Sequence, residues 1–348
     1  MTDFRGRNFL STLDFSPAEI RAILDYALRL KRGQARAALE RKVATLIFFN
    51  ASVRTRVSCE SALARFGGTG IAIQPGKDTW NFECGEGVVM DQNTQEHVKE
   101  LAPILSRMSD WVGIRKSELV TVGSAQGQAS GSYAELAKDE FIHAFARYAS
   151  VPVLNLESNR FHPLQALADS LTMIERLEEP RGKKYVLTWA WHPKSLPVAT
   201  PHSQLLSAAD LGMNVTLLHP NGWELEAAVV KQAKKRAESL GGSLSVTHDV
   251  DAAYRGAHVV CAKAWGSLDY YGRFEEEKRD KEKLRSTWIV DEAKMASSAD
   301  AFFMHCLPVR RNVVVADGVL DGKRSAVVDE AENRLWTAAA VFGLFGKK

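Results

Sequence analysis

The sequence contains few cysteines, and they are not spaced as metal ligands or disulfide partners usually are. Only four occur, Cys59, Cys84, Cys261 and Cys306, and no two of them form a Cys-x-x-Cys pair. The pattern therefore favours neither a zinc site nor a disulfide framework. We expect no bound metal.

Long apolar runs and a strong charge imbalance are also missing. No stretch approaches about 18 uninterrupted apolar residues, the length that spans a membrane, and residues 1–7 lack the apolar core of a signal peptide. The net charge of +3 is far from the basic stripe of a nucleic-acid-binding protein. We expect a cytoplasmic protein that binds neither membranes nor nucleic acids.

Common nucleotide-binding and hydrolase motifs are absent as well. The sequence has no G-x-x-x-x-G-K-[S/T], and the run that ends at Trp189 continues as Ala190-Trp191-His192-Pro193-Lys194 without G-x-G-x-x-G. Neither a Ser-His-Asp spacing nor a paired acid and base can be placed. These absences weaken the nucleotide and dinucleotide interpretations, and we expect no cofactor.

Apolar runs alternate with helical patterns along the whole chain. The predicted strands are 43–47, 70–73, 111–114, 151–156, 185–189, 214–218, 244–247, 258–262, 288–290 and 302–304. The predicted helices include 94–108, with Thr94 as its cap, 134–148, 163–177 and a last one from Glu330 to Leu344. This alternation predicts an α/β fold with two doubly wound domains, each with a mostly parallel sheet, and an active site in the cleft between them. The predicted domains are 1–160, joined by the C-terminal helix 330–348, and 161–329.

The turn after the first predicted strand carries the most informative pattern. Ser52-Val53-Arg54-Thr55-Arg56 lies between the strand 43–47 and a helical pattern over 57–66. Such a turn directs free backbone N–H groups and the positive end of a helix dipole to one place, and it adds two hydroxyls and two guanidiniums. This suits a phosphate dianion. A polar turn with surface arginines is the alternative.

Other strand ends add mostly cations, amides and histidines. They supply Arg115, Glu157, His162, Gln165, His192, Lys263 and the segment 305–311. A set this rich in cations suits a small, highly anionic, already activated substrate. Such a site acts by positioning its substrates and by stabilising a leaving phosphate.

Four motifs in order resemble the aspartate/ornithine carbamoyltransferases, and within them the N-acylornithine carbamoyltransferases. The motifs are Ser52-Val53-Arg54-Thr55-Arg56, His162-Pro163-Leu164-Gln165, His305-Cys306-Leu307-Pro308 and Asp329-Glu330-Ala331-Glu332-Asn333-Arg334. The resemblance covers nearly the whole chain. It implies transfer of a carbamoyl group from carbamoyl phosphate to the δ-amine of an N-acylornithine in arginine biosynthesis, by a homotrimer with shared active sites.

The resemblance also implies roles at the donor. The phosphate would be cradled by Ser52, the backbone of Val53, Arg54 and Thr55. The carbamoyl oxygen would be bound by Arg115 and His162 with Thr55, and we expect Arg54, Thr55, Arg115 and His162 to be catalytic. The amino group would be held by Gln165 and the carbonyls of Cys306 and Leu307. Arg334 would complete the site, and Trp80 would come from a neighbouring subunit.

Each of these assignments has a plainer alternative. His162 precedes a proline at a helix start and could be a capping residue. Cys306 invites a nucleophile interpretation, although its implied role uses only the carbonyl. Trp80 could anchor a loop, and Arg334 could be a solvated helix charge.

The acceptor is indicated by Lys263. Ordinary ornithine carbamoyltransferases resemble one another in an Asp at this position and a Ser-Met-Gly loop, whereas this chain reads Lys263-Ala264-Trp265-Gly266. A lysine would repel a free α-ammonium but attract an α-carboxylate, so an acylated acceptor is expected. Lys263, His192 and Arg310 would then bind carboxylate and amide groups, with Glu157 near the acceptor.

The acyl group depends on two further positions. Acetyl-specific relatives have Glu where this chain has Gln95 and a modified lysine where it has Val314; succinyl-using relatives have proline at the Gln95 position. We expect N2-acetyl-L-ornithine, because a neutral Gln95 can hydrogen-bond an acetamide. N-succinylornithine is the close alternative, followed by ornithine. A nucleotide-dependent oxidoreductase and a silent regulatory homologue are rivals from other classes.

Overall fold

The computed structural model describes residues 3–118 and 132–346. These residues form two compact units, one of 3–118, 136–164 and 334–346, and one of 132–135 and 165–333. Each unit has its own parallel sheet flanked in sequence by helices, so the predicted α/β fold in two domains is confirmed. The predicted domain limits stay a prediction.

Six strands lie in the described residues 3–118 and 132–157. After a short 3-10 turn the elements are α1 (Pro17–Lys31), β1 (Val43–Phe48), α2 (Val53–Arg65), β2 (Thr69–Ile73), β3 (Asn81–Glu83), β4 (Thr94–His97), α3 (Val98–Met108), β5 (Trp111–Arg115), α4 (Tyr133–Leu136), α5 (Glu140–Tyr148) and β6 (Val153–Glu157). Ser16 and Glu19 form a capping box at the start of α1, and Pro17 lies in its first turn.

The sheet of the first unit has the order β2-β1-β5-β6, and all its strands are parallel. Strands β5 and β6 are buried along their whole length, as expected of parallel strands covered on both faces. Phe48 pairs with Arg115, and Arg115 pairs with Glu157. The carboxyl ends of three neighbouring strands therefore meet at one edge of this sheet.

Five further strands lie between residues 158 and 346. Its elements are α6 (Pro163–Leu177), β7 (Lys184–Trp189), α7 (Ala199–Asp210), β8 (Asn214–Leu218), α8 (Ala227–Ser239), β9 (Ser243–Thr247), α9 (Val250–Tyr254), β10 (Val259–Lys263), α10 (Phe274–Glu282), α11 (Glu292–Ala296), β11 (Phe302–Met304), α12 (Asp317–Leu320) and α13 (Val327–Phe345). Their parallel sheet has the order β11-β10-β7-β8-β9, and Lys263 pairs with Trp189 at the carboxyl ends.

Four predicted elements are wrong in part. Thr94 does not cap a helix, because 94–97 is a strand paired with β3 and the cap of α3 is His97, which accepts from the Lys99 N–H at 3.2 Å. The predicted helix 134–148 is broken at Asp139, whose φ of 48° is left-handed. Residues 288–290 contribute only an isolated bridge at Val290. Helix α2 begins at Val53, four residues before the predicted pattern.

Neither a membrane helix nor a metal cluster was found in 3–118 and 132–346. No helix there combines the length and apolar character needed to cross a bilayer. No group of three or more His, Cys, Asp or Glu side chains there could hold a metal ion.

Candidate active site

The turn between β1 and α2 is built as a helix N-terminus. Ser52 is the N-cap, and its Oγ accepts from the Thr55 N–H at 3.3 Å. The first turn contains no acidic residue, which would otherwise neutralise the dipole there. Because α2 starts at Val53, the N–H groups of Val53, Arg54 and Thr55 belong to the turn that has no intrahelical acceptors. The turn therefore has the geometry that favours an anion.

One of the two expected guanidiniums is directed elsewhere. Arg56 Nε donates to Glu60 Oε1 at 3.1 Å, one helical turn along the exposed side of α2. Arg54 is half-buried, and its positive charge lowers the pKa of His162. Of the two arginines, Arg54 is thus the one close to the histidine.

Arg334 joins two of the sequence-predicted residues. Its Nη2 donates to Thr55 Oγ1 at 2.6 Å, and its Nη1 lies 3.2 Å from His162 Nε2. All three side chains are buried. Arg334 is therefore not a solvated helix charge, and it lies in one cluster with Thr55 and His162.

His162 is held as a neutral imidazole. Burial lowers its pKa well below the usual value, and the charges of Arg334, Arg115 and Arg54 lower it further. Since a guanidinium can only donate, Nε2 accepts from Arg334 and the ring proton is on Nδ1. A neutral histidine among arginines can hydrogen-bond a substrate oxygen without adding another full charge.

Arg115 and Glu157 form a buried ion pair at the ends of β5 and β6. Arg115 Nη1 donates to Glu157 Oε2, and the same carboxylate oxygen lies 3.7 Å from His162 Nε2. The pairing of Arg115 with Glu157 in the sheet places both side chains at this edge. The structure thus brings Arg54, Thr55, Arg115, Glu157, His162 and Arg334 into one cluster.

Two buried carboxylates at Gln165 were missed by sequence reasoning. Gln165 Nε2 donates to Asp169 Oδ1 at 2.7 Å and to Glu330 Oε1 at 3.0 Å. Asp169 follows Gln165 by four residues on α6, and Glu330 precedes Arg334 by four on α13. Side chains four residues apart share a helix face, and this spacing was the available signal.

The loop after β11 carries the predicted backbone acceptors. His305 N–H donates to Glu330 Oε2 at 2.9 Å, and His305 Nδ1 accepts from the Leu307 N–H at 2.9 Å. The Leu307–Pro308 peptide is cis, and Leu307 has a φ of 52°. Cys306 is half-buried within this loop. The backbone that carries the carbonyls of Cys306 and Leu307 is therefore held by hydrogen bonds to Glu330 and to the ring of His305.

His192, Lys263 and Arg310 come together in the second unit. Arg310 Nε donates to His192 Nε2 at 3.0 Å, and Lys263 Nζ donates to the Ala264 carbonyl at 2.9 Å. Burial lowers the pKa of His192 to about 4, and the charges of Lys263, Arg310 and Lys281 act in the same direction. The histidine is neutral at pH 7, so the group presents cations around a neutral imidazole. Such a group can bind a carboxylate.

Trp80 immediately precedes β3, and Gln95 lies on β4 of the small β3–β4 sheet. Trp80 is 50% exposed, and its Nε1 donates to Glu96 Oε2 at 2.8 Å. Gln95 is exposed next to Glu96.

Comparison with known proteins gives the chain's family. The carbamoyl-phosphate-binding domain of aspartate/ornithine carbamoyltransferases matches residues 7–175, and the aspartate/ornithine-binding domain matches residues 197–345. The chain belongs to the aspartate/ornithine carbamoyltransferase family. The predicted family and the predicted enzyme class, a carbamoyltransferase, are both confirmed.

Individual relatives are similar over nearly their whole length. N-acetylornithine carbamoyltransferase of Xanthomonas campestris pv. campestris is 42% identical over 96% of both chains. N-succinylornithine carbamoyltransferase of Bacteroides thetaiotaomicron is 34% identical over 86% of both. The crystal structure of acetylornithine transcarbamylase complexed with acetylcitrulline matches with a TM-score of 0.91 and 41% identity, covering 98% of this chain and 100% of that one.

Proposed function

We propose that the protein is an N-acetylornithine carbamoyltransferase. It transfers the carbamoyl group of carbamoyl phosphate to the δ-amine of N2-acetyl-L-ornithine and releases N-acetylcitrulline and phosphate. The observation that carries the proposal is the buried cluster of Arg334, Thr55 and His162 beside the N-terminus of α2. The similarity to N-acetylornithine carbamoyltransferases supports the choice of acceptor.

The phosphate of the donor binds at the start of α2. Ser52, the backbone of Val53, Arg54 and Thr55 provide N–H, hydroxyl and guanidinium donors to its oxygens. These groups also receive the charge that grows on the phosphate as the bond to carbon breaks. The turn thus serves both binding and departure of the leaving group.

The carbamoyl oxygen faces Arg115, His162 and Thr55. When the neutral δ-amine attacks the carbamoyl carbon, negative charge develops on this oxygen, and donors already in place stabilise it. Arg334 holds Thr55 and His162. The residues therefore act mainly through positioning and electrostatics, without a covalent intermediate.

The acceptor binds through its carboxylate to Lys263 and Arg310, with His192 orienting the guanidinium of Arg310. This arrangement favours an acceptor that has lost its α-ammonium charge by acylation, because a free ammonium would be repelled. We propose that Glu157, the ion-pair partner of Arg115, serves the acceptor. Its carboxylate would attract the δ-amine.

The acyl group is recognised by Gln95 of the β3–β4 sheet. Its neutral amide can hydrogen-bond an acetamide, and the buried Val314 cannot carry a lysine modification. N-succinylornithine is the second candidate, because an uncharged position 95 does not repel the additional carboxylate of a succinyl group.

We also propose that the protein forms a homotrimer in which Trp80 completes a neighbouring site. Trp80, Val88 and Val89 are exposed apolar side chains of one segment, which supports their burial by another copy of the chain.

A parallel assay tests the function. Carbamoyl phosphate is offered with ornithine, acetylornithine or succinylornithine, and ureido product and phosphate are measured together. We expect the highest kcat/KM with acetylornithine. A preference for succinylornithine would favour the second candidate, and transfer to none of the three would overturn the proposal.

A further inference from the structure

The ladder between β5 and β6 ends just after Arg115. Arg115 and Glu157 are the last paired residues of these strands, and the Lys116 N–H donates to the Glu157 carbonyl at 2.9 Å. The backbone N–H groups that follow Lys116 need other acceptors, because an unpaired N–H away from water costs about as much as a lost hydrogen bond. The position of the chain beyond Arg115 therefore depends on contacts outside the sheet.

Two asparagine side chains supply these acceptors. The Ser117 N–H donates to Asn50 Oδ1 at 2.7 Å, and the Glu118 N–H donates to Asn159 Oδ1 at 2.6 Å. Asn50 lies just before the turn that begins α2, and Asn159 lies in the loop between β6 and α6. Two consecutive N–H groups are thus tied to the two neighbouring turns at the carboxyl edge of the first sheet.

Asn159 is held by every polar group that it has. Its side chain is buried, its backbone N–H donates to Asp139 Oδ1 at 2.8 Å, and its Nδ2 donates to the Leu136 carbonyl at 3.1 Å. A flipped amide would place oxygen against a carbonyl and nitrogen against an N–H, so both side-chain contacts would be lost. The orientation of Oδ1 toward Glu118 is therefore fixed.

The loop from Asn159 to His162 is short and internally hydrogen-bonded. Ser158 Oγ accepts from the Phe161 N–H at 3.1 Å and from the Arg160 N–H at 3.3 Å. The Ser158 N–H donates to the Phe161 carbonyl at 2.9 Å. A displacement of Asn159 would therefore move the backbone that carries His162.

We propose that Asn159 is a positioning residue that fixes His162 relative to Arg115. The inference rests on the proposed function, in which both side chains bind the carbamoyl oxygen. Two donors stabilise the charge on one oxygen only when both point at the place where that charge develops. A misplacement of about 1 Å can cost roughly 100-fold in rate. Asn159 itself contacts no substrate and acts through the backbone on either side.

Asn159→Leu is the direct test, because it keeps the approximate size of the side chain and removes the oxygen that accepts from Glu118. Asn8→Leu is the matched control, since Asn8 Oδ1 accepts from the Val153 N–H at 2.9 Å at the amino end of the same strand β6. Both variants lose an acceptor of a backbone N–H, so both should lower the urea midpoint. We expect Asn159→Leu to lower kcat with acetylornithine about tenfold or more, and Asn8→Leu to leave it within about twofold.

Two probes separate positioning from general damage. Inorganic phosphate reaches only the turn that begins α2, whereas phosphonoacetamide adds a carbonyl oxygen for Arg115 and His162. Titration calorimetry with the full-length protein should show phosphonoacetamide weakened about tenfold in Asn159→Leu and phosphate weakened less than about twofold. Equal weakening of both probes would indicate a merely structural role and would overturn the inference, as would unchanged affinities and kcat.

A second pair of variants applies if Asn159→Leu does not fold. Asn159→Ala with Asn8→Ala as its control removes the same acceptors without adding bulk, and the same results are expected. If the wild type binds phosphonoacetamide but transfers to no acylornithine, the proposed acceptor fails, and the selective loss of binding still decides the inference. A wild type that binds neither probe would overturn the proposed donor and this inference together.

Discussion

Arg334 and Thr55 lie 279 residues apart in sequence, and Arg334 Nη2 donates to Thr55 Oγ1 at 2.6 Å. The same guanidinium lies 3.2 Å from His162 Nε2. Helix α13 thus organises a group in the first turn of α2 and one immediately before α6.

Thr55→Val tests this relationship. Valine keeps the shape of threonine but leaves a buried guanidinium N–H without its hydroxyl acceptor, so we expect a loss of about 1–3 kcal/mol in the free energy of unfolding and a lower kcat. Urea unfolding and steady-state rates measure the two effects. Thr55→Ser keeps the hydroxyl and should recover most of both. A serine variant as impaired as the valine variant would contradict the role of the hydroxyl.

Arg54→Ala should lower kcat/KM for carbamoyl phosphate by about 100-fold or more, since it removes a donor to the phosphate. Circular dichroism should remain unchanged, because the side chain is half-buried and not part of the apolar core. Arg56→Ala is the matched control: it breaks only an exposed pair with Glu60, worth about 0.3–0.5 kcal/mol, and should leave the rate within about twofold. Wild-type turnover in Arg54→Ala would exclude Arg54 from the phosphate site.

Lys263→Met should raise the KM of the acylornithine about tenfold or more, with little change in the KM of carbamoyl phosphate. The reason is the loss of one cation from the group formed with His192 and Arg310. Initial rates with each substrate varied in turn separate the two constants. Lys234→Met, on the exposed side of α8, controls for the loss of a charge. An unchanged acceptor KM would remove Lys263 from the acceptor site.

His192 should make stability depend on pH. Burial lowers its pKa to about 4 in the folded protein, whereas an unfolded histidine has a pKa of about 6.5. Between these values the unfolded state binds more protons, so stability is lost as the pH falls from about 6.5 to about 4. Urea midpoints at pH 7 and pH 5 should differ less in His192→Gln than in the wild type. A variant of the exposed His143 should behave as the wild type does, and an unaltered difference in His192→Gln would contradict the prediction.

Cys306→Ala should retain kcat/KM within about threefold, because the proposed role uses the backbone carbonyl. Loss of a covalent nucleophile would instead cost on the order of 10⁶-fold. Steady-state rates distinguish these outcomes directly. A collapse of activity with intact folding would restore the nucleophile interpretation.

The parts of the fold that sequence predicted best are the buried parallel strands. Continuous apolar runs such as Val43–Phe48, Trp111–Arg115 and Val153–Glu157 are typical of strands covered on both faces, and their carboxyl ends then locate Ser52, Arg115 and Glu157. The prediction of a strand at 288–290 was wrong, because these three residues form one bridge at Val290 and no continuous ladder of hydrogen bonds. Local pattern alone cannot tell such a stretch from a strand.

Sequence motifs predicted the residues proposed to contact the substrates, but they did not reveal the buried carboxylates that hydrogen-bond to those residues. Arg54, His162 and Gln165 were identified through motifs, and their roles stay predictions. Asp169 and Glu330 were not singled out, because acidic residues on a helix usually face solvent. Their burial follows from tertiary packing and from the amide and backbone donors that they satisfy, which a linear sequence does not display.

The late position of Arg334 has a consequence for the nascent chain. At roughly 5–20 residues per second, the ribosome adds the 279 residues from Thr55 to Arg334 in about 14–56 seconds. Thr55 and His162 emerge long before the guanidinium that joins them. A fragment that ends after residue 164 would therefore lack Arg334 and with it part of the proposed donor site. Residues 334–346 would have to be added as a separate peptide, or joined to the fragment by circular permutation, to supply this side chain.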